Sequence, residues 1–417
     1  MFMVKRIVIL GGGTGGTLVA NRLRRSLDRE AVEIVVVDQD NSHVYQPGLL
    51  FIPFAMTTAD AITRPRERQF HPGIRFHRAS IERVDVEHDQ VILGDGVTLD
   101  YDILIVATGA ILLPEETEGL AGPVWMDRAF TFYDLEGAVA LHQRLESFPG
   151  GRLVVNVVDT PIKCPVAPLE FCFLADWYFQ QRGIRDKVDL VYVTPLDGAF
   201  TKPVASRTLG NLLEQKGIQL VTDYNTATVD GSEGRLISFD DREVSFDLAV
   251  MIPAHGGAAY VGASPGLGDA LGYIETDKYT LQSKVKDNIF ALGDAAGIPA
   301  SKAGSVPHFE GDVLVTNIMR FLAGQTLDAR FDGHTNCFIE SGFHKALLID
   351  FNYDTEPLTG HYPTDVGLPL LKESHLNHLG KLMFQTFYWH SLLPGHDVPG
   401  VGSAMPLRGK HLEATPH

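Results

Sequence analysis

The chain has 417 residues, 45% of them hydrophobic and 21% charged, with a formal net charge of −17. That is enough chain for two or three domains and a sizeable core. The acidity, with no basic stretch, sets aside nucleic acid as a partner and argues against holding an anionic membrane by charge alone.

The start, MFMVKRIVILGGG, runs straight into a strand and a glycine turn, and its apolar run is too short for a secretion signal. No apolar run reaches the roughly 18 residues of a membrane span. A cytoplasmic protein is expected, in which the three cysteines are core or chemistry rather than a disulfide scaffold.

Val4 to Leu10 reads as a β-branched strand, followed by Gly11-Gly12-Gly13-Thr14-Gly15-Gly16. A helix is expected over Thr17 to Ser26 and a second strand over Glu33 to Val37, ending in Asp38. Strand, GxGxxG turn, helix, strand and acid in that order form a dinucleotide fingerprint. Gly11 permits the tight turn, Gly13 lets backbone approach a pyrophosphate, and Gly16 allows close helix–strand packing. Thr14 stands at the helix entrance, whose N-terminus faces the phosphates. Asp38 is the candidate partner of a ribose hydroxyl.

Two later strands narrow the cofactor. YDILIVATGA ends in Ala-Thr108-Gly109, and KDNIFALGDAAG ends in Gly293-Asp294. Both resemble motifs of two-dinucleotide flavoproteins, in which the Gly-Asp carboxylate bonds the ribityl chain of FAD. The resemblance implies FAD at the first site. An ordinary helix cap is the alternative for Asp294.

GRLVVNVV (Gly151 to Val158) looks like the first strand of a second nucleotide unit. The turn after it contains Asp159-Thr160-Pro161-Ile162-Lys163-Cys164-Pro165, with no glycine. Prolines remove N–H donors, so a nicotinamide cofactor would bind poorly there. A helix is expected from Val166 to Gln181, with Glu170 near its positive end. The helix entrance and Lys163 both favour a thiolate at Cys164. Cys172, inside FCFLADWYF, reads as core. Cys337 lies far away, in HTNCFIESG.

His255 in MIPAHGG and His308 in VPHFEG are open between a role near the cofactor and plain structural hydrogen bonding. Toward the end, GLPLLKESHLNHLGKLMFQTFYWHSLLPG (Gly367 to Gly395) repeats Leu376, Leu379, Met383 and Phe387 at helical spacing. Phe384, Tyr388, Trp389, Leu392 and Leu393 widen the expected apolar surface, and Lys372, Lys381, Arg408 and Lys410 add positive charge. That pattern fits an interfacial anchor, with a helix packed on the core or against a second copy as the alternative.

Taken together, these segments resemble the sulfide:quinone oxidoreductases and their flavocytochrome c sulfide dehydrogenase relatives, over nearly the whole chain. The likeness rests on the GxGxxG start, the ATG strand, the cysteine in place of the second glycine turn, GDAA, SKAGSVPHFEG, the Cys-Phe pair and the lipophilic C-terminus. It implies a redox disulfide between Cys164 and Cys337, with Glu170 as base, Cys337 nearer the flavin and Cys164 carrying the persulfide. It implies Lys302 near the flavin ring, and Phe338, Lys381 and Phe384 at the quinone. Many members carry an earlier cysteine that attaches the flavin. TFYDLEGAV (Thr131 to Val139) has none, so FAD held without a covalent bond is expected.

The expected fold is α/β: two Rossmann-like dinucleotide-binding domains plus a C-terminal α/β cap with amphipathic membrane-docking helices. The FAD domain is expected over residues 1–112 and 245–325, the second domain over 113–244, and the quinone and membrane region over 326–417. The implied activity is oxidation of sulfide to polysulfide or sulfur, with electrons passed to membrane quinone by an enzyme peripheral on the inner face of the cell membrane. No metal is expected, and a homo-oligomer is compatible with the sequence. The alternatives are a flavocytochrome c-type dehydrogenase, a type II NADH:quinone oxidoreductase, and a non-enzymatic flavin redox sensor.

Overall fold

Residues 4–396 and 402–411 are described by the structure, a computed structural model. Met1 to Met3 and the ends of the expected C-terminal region lie outside the described residues.

The fingerprint segment folds as β1 (Lys5–Leu10), α1 (Thr14–Ser26) and β2 (Val32–Asp38). The helix begins at Thr14 rather than Thr17 because the glycines let its first turn lie against the strand: a Cβ on Gly16 would stand 1.9 Å from Gly11 O. Strands β3 (Ile74–Arg78) and β4 (Ile103–Val106) complete this stretch of chain.

The second unit follows with β5 (Ala129–Phe130), β6 (Gly151–Val157), α2 (Ala167–Gln181), β7 (Val188–Val193), β8 (Gln219–Val221) and β9 (Leu248–Ile252). The chain then returns to the first unit with β10 (Ile289–Ala291) and α3 (Val306–Leu322). Two five-stranded parallel sheets result, ordered β10-β4-β1-β2-β3 and β5-β9-β6-β7-β8. Their central strands are buried on both faces, which is why they read as continuous apolar runs rather than as alternating ones. Each unit carries a three-stranded antiparallel meander just before its last-formed inner strand, over residues 81–100 and 226–245.

One boundary moves. The return to the first unit was expected at residue 245, but Leu248–Ile252 pairs with β5 and β6 in the second sheet, so the crossing falls after Ile252. An apolar strand looks the same in either sheet; pairing alone assigns it.

The cap begins with an antiparallel hairpin, β11 (Thr335–Gly342) and β12 (Lys345–Phe351). β11 packs on α2, and α4 (His375–Phe387) packs on β12. Ser374 starts α4 by accepting the Asn377 N–H on its side chain. A π turn, Tyr388–Leu392, ends it.

The cap corrects the expected apolar surface. Tyr388, Trp389, Leu392 and Leu393 are buried, packed onto the first unit rather than turned outward. Lys381 and Lys410 are buried in ion pairs with Glu170 and Asp350, so neither adds surface charge. The stripe that is exposed is Leu376, Leu379, Leu382 and Met383, at 51, 51, 45 and 61%. No helix among the described residues is long and apolar enough to cross a membrane.

Candidate active site

A cavity of about 610 Å³ lies where both units and the cap meet. Its first wall is the fingerprint turn. Gly11 has φ +93°, and a Cβ there would come within 2.5 Å of Ala107 O. Gly13 is different: a Cβ on it would meet nothing within 4 Å, so its backbone borders open space. Gly109, after β4, is open in the same way with φ +71°. Thr108, Gly293, Asp294 and Lys302 line the same cavity. A helix N-terminus, bare glycine backbone and the Asp38 and Asp294 carboxylates in the lining of one cavity fit a dinucleotide such as FAD.

Asp38 lines the wall as expected, yet it already has protein partners. Its Oδ2 accepts the Gly12 N–H and pairs with Arg66, each at 2.7 Å. Burial raises its pKa, and Arg66 opposes that shift. Arg66 carries no motif signal, because its position depends on a loop remote from the fingerprint. Lys302 is tied down too: its ammonium donates to Asp294 O at 2.6 Å and sits 4.3 Å from the Tyr273 ring centre. Burial raises the Asp294 pKa, against Lys302 and Lys163.

The second wall is the cysteine loop. Cys164 has φ +48°, a left-handed conformation uncommon for a residue with a Cβ. It is held there from three sides: its N–H donates to Lys302 O at 2.6 Å, while its carbonyl accepts the Ala167 N–H at 2.9 Å and the Tyr133 hydroxyl at 3.1 Å. Thus the Lys302 turn of the first unit fastens the loop of the second. Tyr133 lies in the segment that sequence reading searched only for a cysteine.

The expected resting thiolate is not supported. Burial, then Glu170, pushes the Cys164 thiol up to about 12, with Lys381 opposing. Lys163, expected to activate it, is itself lowered by burial and bonds Gln46. The Cys337 thiol is also well above the usual range, from burial and then from Cys164 itself, so the two cysteines are electrostatic neighbours. All three cysteines are free thiols. Cys164 lines the cavity, and Cys337 is not among its lining residues. Strand β11 sets this: Cys337 pairs with Ile349 and packs on the two cores. Cys172 is 1% exposed inside the core, as its apolar surroundings suggested.

Behind Cys164 sits a charged cluster. Glu170, in the first turn of α2, accepts on Oε1 both the Glu340 N–H at 2.7 Å and the Lys381 ammonium. Lys381 also donates to Phe338 O at 3.2 Å. Burial raises the Glu170 pKa and Lys381 opposes it. For Lys381, burial pulls downward but Glu170 and Glu340 outweigh it, leaving the ammonium firmly protonated. Glu340 is pushed up to about 7 by burial, and its two oxygens lie 3.0 Å from His378 Nδ1. Two buried carboxyls therefore share one ammonium, an arrangement able to hold a proton near neutrality.

Of the expected quinone residues, Lys381 and Phe384 line the cavity. Phe338 does not; its ring meets α4 at Gly380 and joins a small cluster with Leu348 and Tyr362. His255 and His308 fall outside the lining as well. The first bonds Pro253 O at 2.9 Å, the second lies 3.4 Å from Arg22, and burial lowers each to about 4. His255 Nε2 is buried without a hydrogen-bond partner among the described residues. The neighbour of His308 was passed over: Glu310 is fully buried, accepts the Gly293 N–H at 2.6 Å and is pushed up to about 7 by burial.

Residues 5–155 match the pyridine nucleotide-disulphide oxidoreductase family model. The mitochondrial sulfide:quinone oxidoreductase of Dictyostelium discoideum is 29% identical over 401 residues, covering 94% of this chain and 86% of that one. The demethylphylloquinone reductase of Synechocystis is 33% identical over 347 residues, covering 77% of this chain and 81% of the relative. Among solved structures, the Aquifex aeolicus sulfide:quinone oxidoreductase has the same fold at a TM-score of 0.79 and 19% identity, over 94% of this chain and 92% of that one.

Proposed function

The chain belongs to the pyridine nucleotide-disulphide oxidoreductase family, among its sulfide:quinone oxidoreductases, and we propose that it oxidises sulfide at the Cys164–Cys337 pair and passes the electrons to quinone. The observation that carries the site assignment is Cys164 on the cavity wall, where the second unit lacks a nucleotide-binding turn, backed by Glu170 and Lys381. FAD, when bound, takes two electrons from the sulfur side and delivers them to quinone.

Held by the fingerprint turn, Thr108–Gly109 and Gly293–Asp294, the cofactor would share the cavity with Cys164. In the oxidised enzyme the two cysteines form a disulfide. Hydrosulfide attacks one sulfur, the S–S bond breaks, and the products are a cysteine persulfide and a cysteine thiolate. Burial disfavours that thiolate, so a proton must reach it or a cation must face it. Lys381 is the cation, and Glu170 moves the proton. Closing the persulfide and the thiolate into a trisulfide releases one proton and two electrons, which bound FAD would accept; each further hydrosulfide then attacks the bridged sulfur in the same way, one two-electron oxidation per added sulfur, until polysulfide leaves. Quinone needs two protons with its two electrons; Lys381 and Phe384 receive it, and Glu340 and Glu170 supply protons through the same cluster.

The exposed stripe on α4 is proposed to dock on a membrane surface, where an apolar quinone is met. Its opposite face holds Asn377, His378 and Lys381 inside the protein, so one helix faces both lipid and site. Replacing Leu379 and Met383 with Gln should release the protein from liposomes in a flotation assay while leaving turnover with a water-soluble quinone intact. Unchanged flotation would remove the docking role.

The decisive test is anaerobic mixing with sulfide and, separately, with NADH while flavin absorbance is followed. Bleaching by sulfide is expected. Bleaching by NADH alone would replace this reading with an NADH:quinone oxidoreductase.

A further inference from the structure

The last turn of α4 and the segment after it do more than fill space beside the first unit. Gln385 donates to Ala61 O at 2.9 Å, Asn21 donates to Leu393 O at 2.8 Å, and the Arg64 guanidinium lies 4.4 Å from the Trp389 ring centre. These contacts seat the segment on loops and on α1. One contact is of another kind. Tyr388 lines the cavity, and its hydroxyl lies 2.8 Å from Thr14 Oγ1 and 2.7 Å from His43 Nε2. Thr14 is the first residue of α1, at the turn that takes the cofactor phosphates.

The direction of these bonds can be worked out. His43 Nδ1 lies 3.2 Å from Gly12 O, a carbonyl that can only accept, so Nδ1 carries the proton. Burial lowers the His43 pKa to about 3, so the ring is neutral and Nε2 has no proton. Nε2 therefore accepts from the Tyr388 hydroxyl. Tyr388 has spent its only proton, so its oxygen accepts from Thr14. A single chain of donors runs Thr14 to Tyr388 to His43 to Gly12, beginning and ending within the same glycine-rich turn. The Thr14 hydroxyl proton is committed to Tyr388.

We propose that Tyr388 is a cofactor-positioning residue, which acts through Thr14 and His43 to brace the FAD-binding turn from the C-terminal segment. This rests on the FAD reading. The turn has glycines at Gly11 to Gly13 and little stiffness of its own; the brace supplies it from residues nearly at the other end of the chain. The element that presents the apolar stripe thus also controls how firmly the cofactor is held.

The test uses the purified holoenzyme and follows the rise of FAD fluorescence on dilution. Wild-type protein without bound FAD would overturn the cofactor reading itself and leave the brace without an object. With FAD present, Tyr388→Phe should speed release about five- to tenfold, the loss of one hydrogen bond's worth of positioning. Thr14→Val should have a similar effect, and the double variant should be no faster than the faster single one, because both break the same chain. Gln385→Ala, which detaches the segment from Ala61 only, should release FAD at the wild-type rate. Wild-type release by Tyr388→Phe overturns the proposal. So does multiplication of the two effects in the double variant, or a Gln385→Ala effect as large as that of Tyr388→Phe. Should Tyr388→Phe fail to fold, His43→Asn paired with Thr14→Val gives the same cycle.

Discussion

The molecule contains the same strand–turn–helix unit twice, and the two copies use it in opposite ways. Between β1 and α1 lie only residues 11–13, all glycine; between β6 and α2 lie residues 158–166, with no glycine. In the first copy missing side chains make room: Gly13 faces open cavity, and Gly16 lets helix and strand touch. In the second copy side chains take that room: Ile162 and Val166 are buried, Cys164 faces the cavity, and Glu170 fills the helix's first turn. One helix N-terminus is left for a ligand's anion; the other lies beside a carboxylate of the protein itself. A parallel α/β sheet supplies a crevice at each such turn, and the turn residues decide whether it is left open, as at Gly13, or filled by side chains, as around Cys164.

That contrast can be broken from either side. The largest effect is expected when the second turn is made to resemble the first. Cys164→Gly and Cys164→Ser should each lose at least about 10³-fold in sulfide-driven flavin bleaching, as should Cys337→Ser. Gly also suits φ +48°, so Cys164→Gly should keep its stability within about 1 kcal/mol of wild type by urea titration. Cys172→Ser should keep most activity; equal loss there would move the chemistry off the Cys164–Cys337 pair.

The converse change comes next. Gly16→Ala puts a Cβ 1.9 Å from a backbone oxygen that has no side chain to move aside. FAD content should collapse and stability should fall by about 3 kcal/mol or more, read by absorbance ratio and thermal melting. Normal FAD content would show that the first turn tolerates side chains as the second does.

Glu170→Gln tests the carboxylate that sits where an anionic ligand would. It leaves Lys381 buried with only Glu340 nearby, so a cost of about 3 kcal/mol and about 10²-fold in turnover are expected, with Lys381→Met partly restoring stability but not turnover. The smallest effect concerns pH. Glu310, beside the first site, and Glu340, beside the second, are each raised to about 7 by burial. Between the ordinary carboxyl pKa and 7 these two carboxyls hold protons in the folded state that the unfolded state has lost, so their contribution to stability falls as pH rises through that window, against the opposite slope of the buried His43, His255 and His308 below about 6.5. Each carboxyl should contribute about 3 kcal/mol to the fall, so Glu340→Gln and Glu310→Gln should each gain about that much stability relative to wild type across the window. Variant profiles parallel to that of wild type would mean that neither carboxyl holds its proton.

Much of the first site was legible because each glycine answers to its own chain neighbours. Gly11 makes the turn and Gly16 the close packing that their spacing implied, Gly13 borders open space, and Cys164 stands out by interrupting an otherwise regular pattern. Cys337 and Glu170 could be named but not placed. Arg66 on Asp38, Tyr133 on Cys164, Glu310 on Gly293 and Tyr388 on Thr14 carried no readable signal, since each pairs residues from separate stretches of chain.

The C-terminal helix draws the line most clearly. Its apolar periodicity was plain in the sequence, and so were its aromatic residues, but which face meets water is not a property of the helix. Leu379 and Met383 ended outside while Tyr388 and Trp389 ended inside, because the first unit offers His43, Thr14 and Arg64 to one face only. By itself the sequence determined the strands, the glycine turn and the glycine-free turn that holds Cys164, all set by backbone freedom and local patterning. The tertiary structure decided which buried charges meet, and with them where a proton is held and what braces the cofactor turn, because pairing energies depend on neighbours that chain order does not reveal.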